Sequence, residues 1–489
     1  MKTHNRIFFT IGIVFLFIGL GTNSAFSNNL SNNRGQPSEV FVDDDFNVST
    51  PGWGYDHFDN IQSGIDNVSN YGIIHVYEGY YDVFNIEGRT DIIIESDGTT
   101  KPIIQGSQNV IDYTLAPPSN IKCVIFVDNS ANIILRGVNI QGVGLTGRSY
   151  AVFYNGSTGL IDESNISPNQ RGNMNSIAIR AQLFSDLSVE NCTILNYGRI
   201  GIYCRSGTNM NIYNNSIYGQ IYTDIDGDYV SYGIEVEDLI AASHATIRYN
   251  EITNHDHTGN PTWSSAAIII DAWRYYQVTP DKCSAIVEYN NIHSNMLGLQ
   301  IVPNSNINVN FNKIINNRDY GAVSDPYWDG NNYIYVDLKA TNNWWGEETG
   351  PYNPNSNPSG TGNEVTDYVI FDPWLDDYLP RIEITEPKEA FIYFNFVDII
   401  EFKIPFFTTF IIGKNDVEAM VTKGIYDIVK VEFYVDDTLK FSTTDEPYRW
   451  TWNEITGFFP YILKAVVYDA KGNTRWDKLD VWKTQSFVS

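Results

Sequence analysis

A chain of 489 residues with 43% hydrophobic and 18% charged residues has a folding composition, and its length exceeds one ordinary core. Its 58 acidic against 31 basic residues leave a formal charge of −27, which argues against a surface built to neutralise phosphates. Nucleic acid is therefore not an expected partner, whereas calcium, basic partners or plain solubility all fit the acidity.

The first element in chain order is a leader. Lys2 and Arg6 precede an apolar run from Ile7 to Leu20, and Ala25-Phe26-Ser27 offers the small residues a signal peptidase reads. We expect residues 1–27 to be a signal peptide and the mature chain to be secreted or held at the cell surface. The apolar run falls short of the ~20 residues a membrane span needs. A later apolar stretch, Phe391 to Gly413, is interrupted by Asp398, Glu401, Lys403 and Pro405, so no span is expected in the mature chain. Export would permit disulfides, yet Cys123, Cys192, Cys204 and Cys283 are no framework in so long a chain, and no CxxC pair suggests structural zinc. The sequons at Asn47, Asn67, Asn155, Asn165, Asn191 and Asn214 matter only in a host that glycosylates.

Next comes a helix, because Phe58, Ile61, Ile65 and Val68 share one helical face, with Gly72 expected to end it. Such a helix suits the cap of an open core. Ile73 to Tyr77 and Glu78-Gly79-Tyr80-Tyr81 then read as the first strands.

A short phrase recurs beyond it, in which Asn precedes an inward Ile: Val138-Asn139-Ile140, Ser164-Asn165-Ile166, Asn191-Cys192-Thr193-Ile194, Asn214-Asn215-Ser216-Ile217, Asn250-Glu251-Ile252, Asn290-Asn291-Ile292 and Asn312-Lys313-Ile314, with Trp344 closing the series. A basic coil of about 22 to 25 residues, with loops inserted in some turns, accounts for the spacing. Such coils form a solenoid of parallel strands stacked at roughly 4.8 Å, each Ile resting on its neighbour and each Asn bonding the bend and the next Asn. An antiparallel sandwich is the competing account, but Asn-Gly hairpin signals are scarce here. The expected fold class is all-β: a right-handed parallel β-helix over residues 28–378, then an immunoglobulin-like sandwich over 380–489.

On these residues the chain resembles the secreted pectin-lyase-like β-helix proteins with "carbohydrate binding and sugar hydrolysis" repeats. Phe58 to Tyr81 is similar to their opening, although Tyr80 stands where Thr is usual. Asn342-Asn343-Trp344-Trp345-Gly346, Thr349-Gly350-Pro351 and Phe371-Asp372-Pro373-Trp374-Leu375 are similar to their closing cap. The likeness covers about residues 40 to 378, and it implies a fold rather than an activity, because the group spans lyases, hydrolases, epimerases and proteins with no known reaction. The Asn-Thr-Asp, Asp-Asp and Gly-His-Gly set of polygalacturonases, the Asp-Pro-His-Asp motif of alginate epimerases and the Arg pattern of pectate lyases are not found.

After Pro380 the phrase gives way to alternation, with Val429, Val431, Phe433 and Val435 on one side of a strand and Lys430, Glu432, Tyr434 and Asp436 on the other. Together with Pro447 to Trp450 and Ala465 to Thr474, this resembles the bacterial Ig-like domains appended to secreted glycosidases, which serve as spacers or binding attachments. Of Trp450, Trp452 and Trp476, two are expected in the core and one free to stack on sugar.

Stacked coils turn equal phases into outward columns. Aligning Ile177 to Arg180, Ile202 to Arg205, Ile234 to Glu237, Ile268 to Asp271, Leu299 to Val302 and Ala322 to Asp325 gives a column of Arg180, Arg205, Glu237, Asp271, Val302 and Asp325, with Tyr203, Glu235 and Gln300 beside it. Arginines running into carboxylates suit an acidic polysaccharide: Glu237, Asp271 and Arg205 are the candidate catalytic groups, and Arg180, Tyr203, Glu235, Gln300, Asp325, Trp273 and Arg274 the candidate substrate contacts. An exposed ion-pair ladder of little energetic weight is the competing account. Asp224, Asp226 and Asp228 alternate around a Gly as calcium ligands do, without a complete EF-hand spacing. His255 and His257 read as part of a solvated polar loop rather than as zinc ligands or a base. The expected function is glycan binding along the flank by a monomer; a polysaccharide lyase or glycoside hydrolase is the alternative, and a structural adhesin or surface-layer component the second.

Overall fold

Alternating apolar residues interrupted by Asn at fixed phase build three strands per turn. The computed structural model describes residues 35–484 except 114, 116–117, 223–229, 239, 259–263, 272–282, 302–306, 329–330, 336, 396–398, 404–408, 455–456 and 458. Successive strands go to three long sheets in rotation, called A, B and C here, of eleven, nine and ten strands, the tenth strand of C lying off its main path. The strands of one full coil are Asp186–Glu190 in A, Thr193–Ile194 in B and Ile200–Arg205 in C. Within each path every pairing is parallel, which defines a parallel β-helix.

The inward Ile of the phrase does what its position requires. Ile140, Ile166, Ile194, Ile217, Ile252, Ile292 and Ile314 lie in exact register on sheet B and are fully buried. At the end of the row Trp344 pairs with Lys313, so the next inward residue is Trp345 rather than Trp344.

The Asn residues close the A-to-B corner as a ladder. The backbone N–H of Cys192, Asn215, Asn250, Asn290 and Asn312 each donates to the Oδ1 of the Asn one coil on, at 2.8 to 3.0 Å. Earlier coils use Ser130, Ser157 and Ser185 in the same way at the corner between C and A. Buried corner amides thereby find acceptors where no strand can supply them.

The start of sheet C holds a column the sequence reading did not single out: Ala151, Ala178, Gly201, Gly233, Ala267, Gly298 and Gly321, set between two rows in continuous register. A Cβ on Gly298 would lie 2.4 Å from the carbonyl oxygen of Gly321. Gly298→Ala is therefore expected to cost about 1–3 kcal/mol through overpacking, read as a lowered urea midpoint.

At the N-terminal end helix α1 (Ile61–Asn67) is capped by the Asn60 side chain, which accepts from the Ser63 N–H at 2.8 Å. Its Ile61 and Ile65 are buried with Phe58 and Val68 over the first coil. The turn after it is made by Tyr71 in a left-handed conformation, not by Gly72; Gly72 is needed because a Cβ there would meet Val68 and the Ser69 carbonyl.

From Arg381 onward a three-stranded sheet faces a seven-stranded one around Tyr393, Val431, Phe433, Trp452, Leu463, Val467 and Val481. Val431, Phe433 and Val435 point inward, but an irregularity in the pairing between Ile428 and Lys430 turns Val429 to solvent. Trp452 is buried, Trp450 packs half-buried against the core and Trp476 is exposed.

Residues 37–489 form one compact unit. The sandwich meets the helix on an aromatic column made by the residues that precede the ladder asparagines. Tyr249, Tyr289 and Phe311 stack at 5.0 and 5.7 Å, all three in left-handed backbone conformation. Tyr426 stacks on Tyr249, the Lys423 ammonium lies 5.1 and 5.0 Å from the rings of Tyr289 and Phe311, and Lys471 donates to Asn214 at 2.7 Å.

Candidate functional site

The outward face of sheet C carries the candidate residues in two rows. One holds Phe153, Arg180, Tyr203, Glu235, Ile269, Gln300 and Val323; the other Asn155, Gln182, Arg205, Glu237 and Asp271. Arg205, Glu237 and Asp271 are thus on consecutive coils in one column, as the alignment expects. Arg180 is not: it pairs with Tyr203, two residues from the expected partner Arg205. The cause is Ile177, which aligns with Ile200 and packs outward, so that Ile179 is the match of Ile202. A shift of two keeps Arg180 on the outer face.

A larger correction concerns exposure. The flank expected to face solvent is covered: Arg180 is 2%, Glu237 4%, Glu235 7% and Arg205 8% exposed. Outside the main core, Tyr150, Phe153, Ile177, Ile200, Tyr203, Tyr232, Ile269 and Leu297 form a second apolar cluster on this face. Strand Gln108–Asp112 folds back antiparallel on Ser119–Asp128 and brings in Asp112, which the sequence reading missed.

The result is a buried polar seam. Arg180 pairs with Asp112 at 3.2 Å and donates to the Tyr150 hydroxyl at 2.6 Å and through Nε to Gln182 Oε1 at 2.8 Å. Tyr150 in turn donates to Asp112 at 3.1 Å. One coil further, Arg205 pairs with Glu237 at 2.7 Å, and the Tyr203 hydroxyl donates to the same carboxylate oxygen. The Tyr203 ring lies 5.2 Å from the Arg180 guanidinium and 5.6 Å from that of Arg205. Burial, with Glu237 and Glu235 beside it, pushes the Tyr203 phenol well above its ordinary pKa, so it stays a proton donor. Gln300 donates to the half-buried Asp325 at 2.8 Å, at the far end of the face.

For the remaining candidates, the Asp271 backbone pairs with Glu237, while its side chain lies outside the described residues, as do Val302, Trp273, Arg274, Asp224, Asp226 and Asp228. Among the described residues, acidic oxygens converge at Asp43, Asp44 and Asp45, where Asp44 accepts from the Tyr80 N–H. No helix among the described residues is long and apolar enough to cross a membrane.

His255 and His257 are buried, not solvated. A left-handed Asn254 turns His255 into a second ladder, where its N–H donates to Asn295 Oδ1 at 3.0 Å and Asn295 and Asn317 repeat the motif. The ring lies between Tyr197 and Asn295, and burial lowers its pKa to about 4. The unfolded chain, with an ordinary His near pKa 6.5, takes up this proton first. Stability is thus full above about pH 6.5 and falls by about 3 kcal/mol as pH drops to 4. His255→Asn should remove that component from the pH profile of unfolding.

Residues 123–272 match the family model described as "Right handed beta helix region", and residues 408–473 the one described as "Bacterial Ig domain". The fold is thus a right-handed β-helix with a bacterial Ig-like domain behind it. No curated protein matches the chain. Among solved structures, fibronectin(III)-like modules of Clostridium thermocellum CbhA align at 17% identity and TM-score 0.18, over 24% of this chain and 52% of that one, so this chain spans about half that structure's length. The periplasmic alginate epimerase AlgG aligns at 15% identity and TM-score 0.27, over 56% of this chain and 62% of the other. ORF18 of Geobacillus virus E2 aligns at 10% identity and TM-score 0.31, over 86% and 72%.

Proposed function

We propose that this is an exported protein that binds acidic polysaccharide at the outer face of sheet C, with the Ig-like module as its attachment. The observation that carries the reading is the set Asp112, Arg180, Arg205, Glu235 and Glu237, all buried against the outside of one sheet. Burying charge there is costly, a solenoid stands without it, and such groups concentrate where a ligand is handled. Arg180 and Arg205 lie on the Tyr203 ring and are each held by a carboxylate, so a uronic acid would bind by taking the place of Asp112 or Glu237 on a guanidinium. Calcium at Asp224, Asp226 and Asp228 belongs to the same proposal.

The test is calorimetric titration of the whole chain with oligogalacturonate and alginate oligosaccharides, with and without calcium. Arg180→Ala is expected to weaken binding by about tenfold or more, as loss of a buried anchor does. Absence of binding to every acidic glycan tried would sink the proposal. A lyase or hydrolase reading uses the same seam, with Glu237 as the reacting carboxylate beside Arg205 and Tyr203. It requires new reducing ends or unsaturated products that vanish in Glu237→Gln. An adhesin without sugar affinity is the outcome left if both assays are blank.

A further inference from the structure

Sheet A carries an open groove that the seam does not use. It runs across the strands Asp186–Glu190, Asn209–Tyr213, His244–Arg248 and Ser284–Glu288, so that it follows the stacking direction, and it encloses about 360 Å³. Register sets its walls. Asp186, Asn209, His244 and Ser284 form one row, and Asn211, Thr246 and Ile286 the next. His244 Nδ1 and Ser284 Oγ are 2.6 Å apart. Beside the first row, Phe184 is 65% exposed and overlies Gly207, two residues ahead of Asn209.

We infer that this groove binds an extended, uncharged glycan lying across the strands. Its rungs repeat at roughly 4.8 Å, the length scale of one pyranose ring, and the three rungs of Asn209, His244 and Ser284 each present a side chain able both to donate and to accept, as sugar hydroxyls require, while Asp186 only accepts. Among the described residues no lysine or arginine lines it, and Asp186 stands at its end, which disfavours a polyanion. Phe184 supplies an apolar ring face of the kind that packs on a sugar ring. The inference is independent of the acidic seam on sheet C.

The experiment titrates the full chain with β-1,4-linked hexasaccharides of glucose, xylose and mannose. At least one is expected to bind. Phe184→Ala, and Asn209→Ala combined with His244→Ala, should each weaken it by about tenfold or more, and Thr246→Trp should block it by filling the groove. Tyr71→Ala, remote and exposed, should leave affinity unchanged, and saturating oligogalacturonate should not displace the neutral sugar. Three results would each overturn the inference: no binding of any hexasaccharide, binding indifferent to all three groove variants, or displacement by oligogalacturonate, which would place the ligand in the seam.

Discussion

Asn290→Ala is expected to lower the stability of the β-helix by about 2–5 kcal/mol, while Asn291→Ala, one residue on, changes it by less than about 0.5 kcal/mol. Asn290 is fully buried. Its Oδ1 takes the Asn250 N–H at 3.0 Å and its Nδ2 donates to the carbonyls of Ile247 and Glu288 at 2.8 and 3.0 Å. Alanine strands the Asn250 amide and the Ile247 carbonyl in a place water does not reach, and each such group costs about 1–3 kcal/mol. Asn291 starts a sheet B strand and is half-buried, with no such duty to the corner. Urea unfolding of the two variants decides the matter: equal midpoints would remove the ladder from the account of stability.

The second large effect is at the seam. Arg205→Leu leaves Glu237 buried with Tyr203 as its remaining side-chain donor among the described residues, and breaking a buried pair on one side costs about 3–5 kcal/mol. Replacing both, Arg205→Leu with Glu237→Leu, should recover part of that loss, because no buried charge is left alone although the Tyr203 hydroxyl loses its acceptor. The double variant is also the sharper probe of function. It should be more stable than Arg205→Leu and bind no acidic glycan; wild-type binding by it would remove Arg205 and Glu237 from recognition.

The coils were readable because a stack of parallel strands imposes one constraint on every turn, so Asn and Ile return at the same phase. The same logic located Arg205 over Glu237 over Asp271. It failed at Arg180, where the small Ala178 lies between outward Ile177 and inward Ile179 and breaks simple alternation. It also missed that the seam is covered, since Asp112 reaches Gln182 from 70 residues away through a fold-back strand that no repeat announces. His255 was misread as loop because a His in a row of Asn hides the ladder. By contrast, the aromatic column had a visible signal that went unused, in Tyr249-Asn250, Tyr289-Asn290 and Phe311-Asn312.

That column has a mechanical consequence. Lys423 bridges the rings of two successive coils and Lys471 donates to Asn214 and the Tyr249 carbonyl on the two coils before them, so tension applied to the C-terminal module would be shared among several turns instead of peeling the last one. Load entering through that module would meet the coils from the side, where many strands resist together.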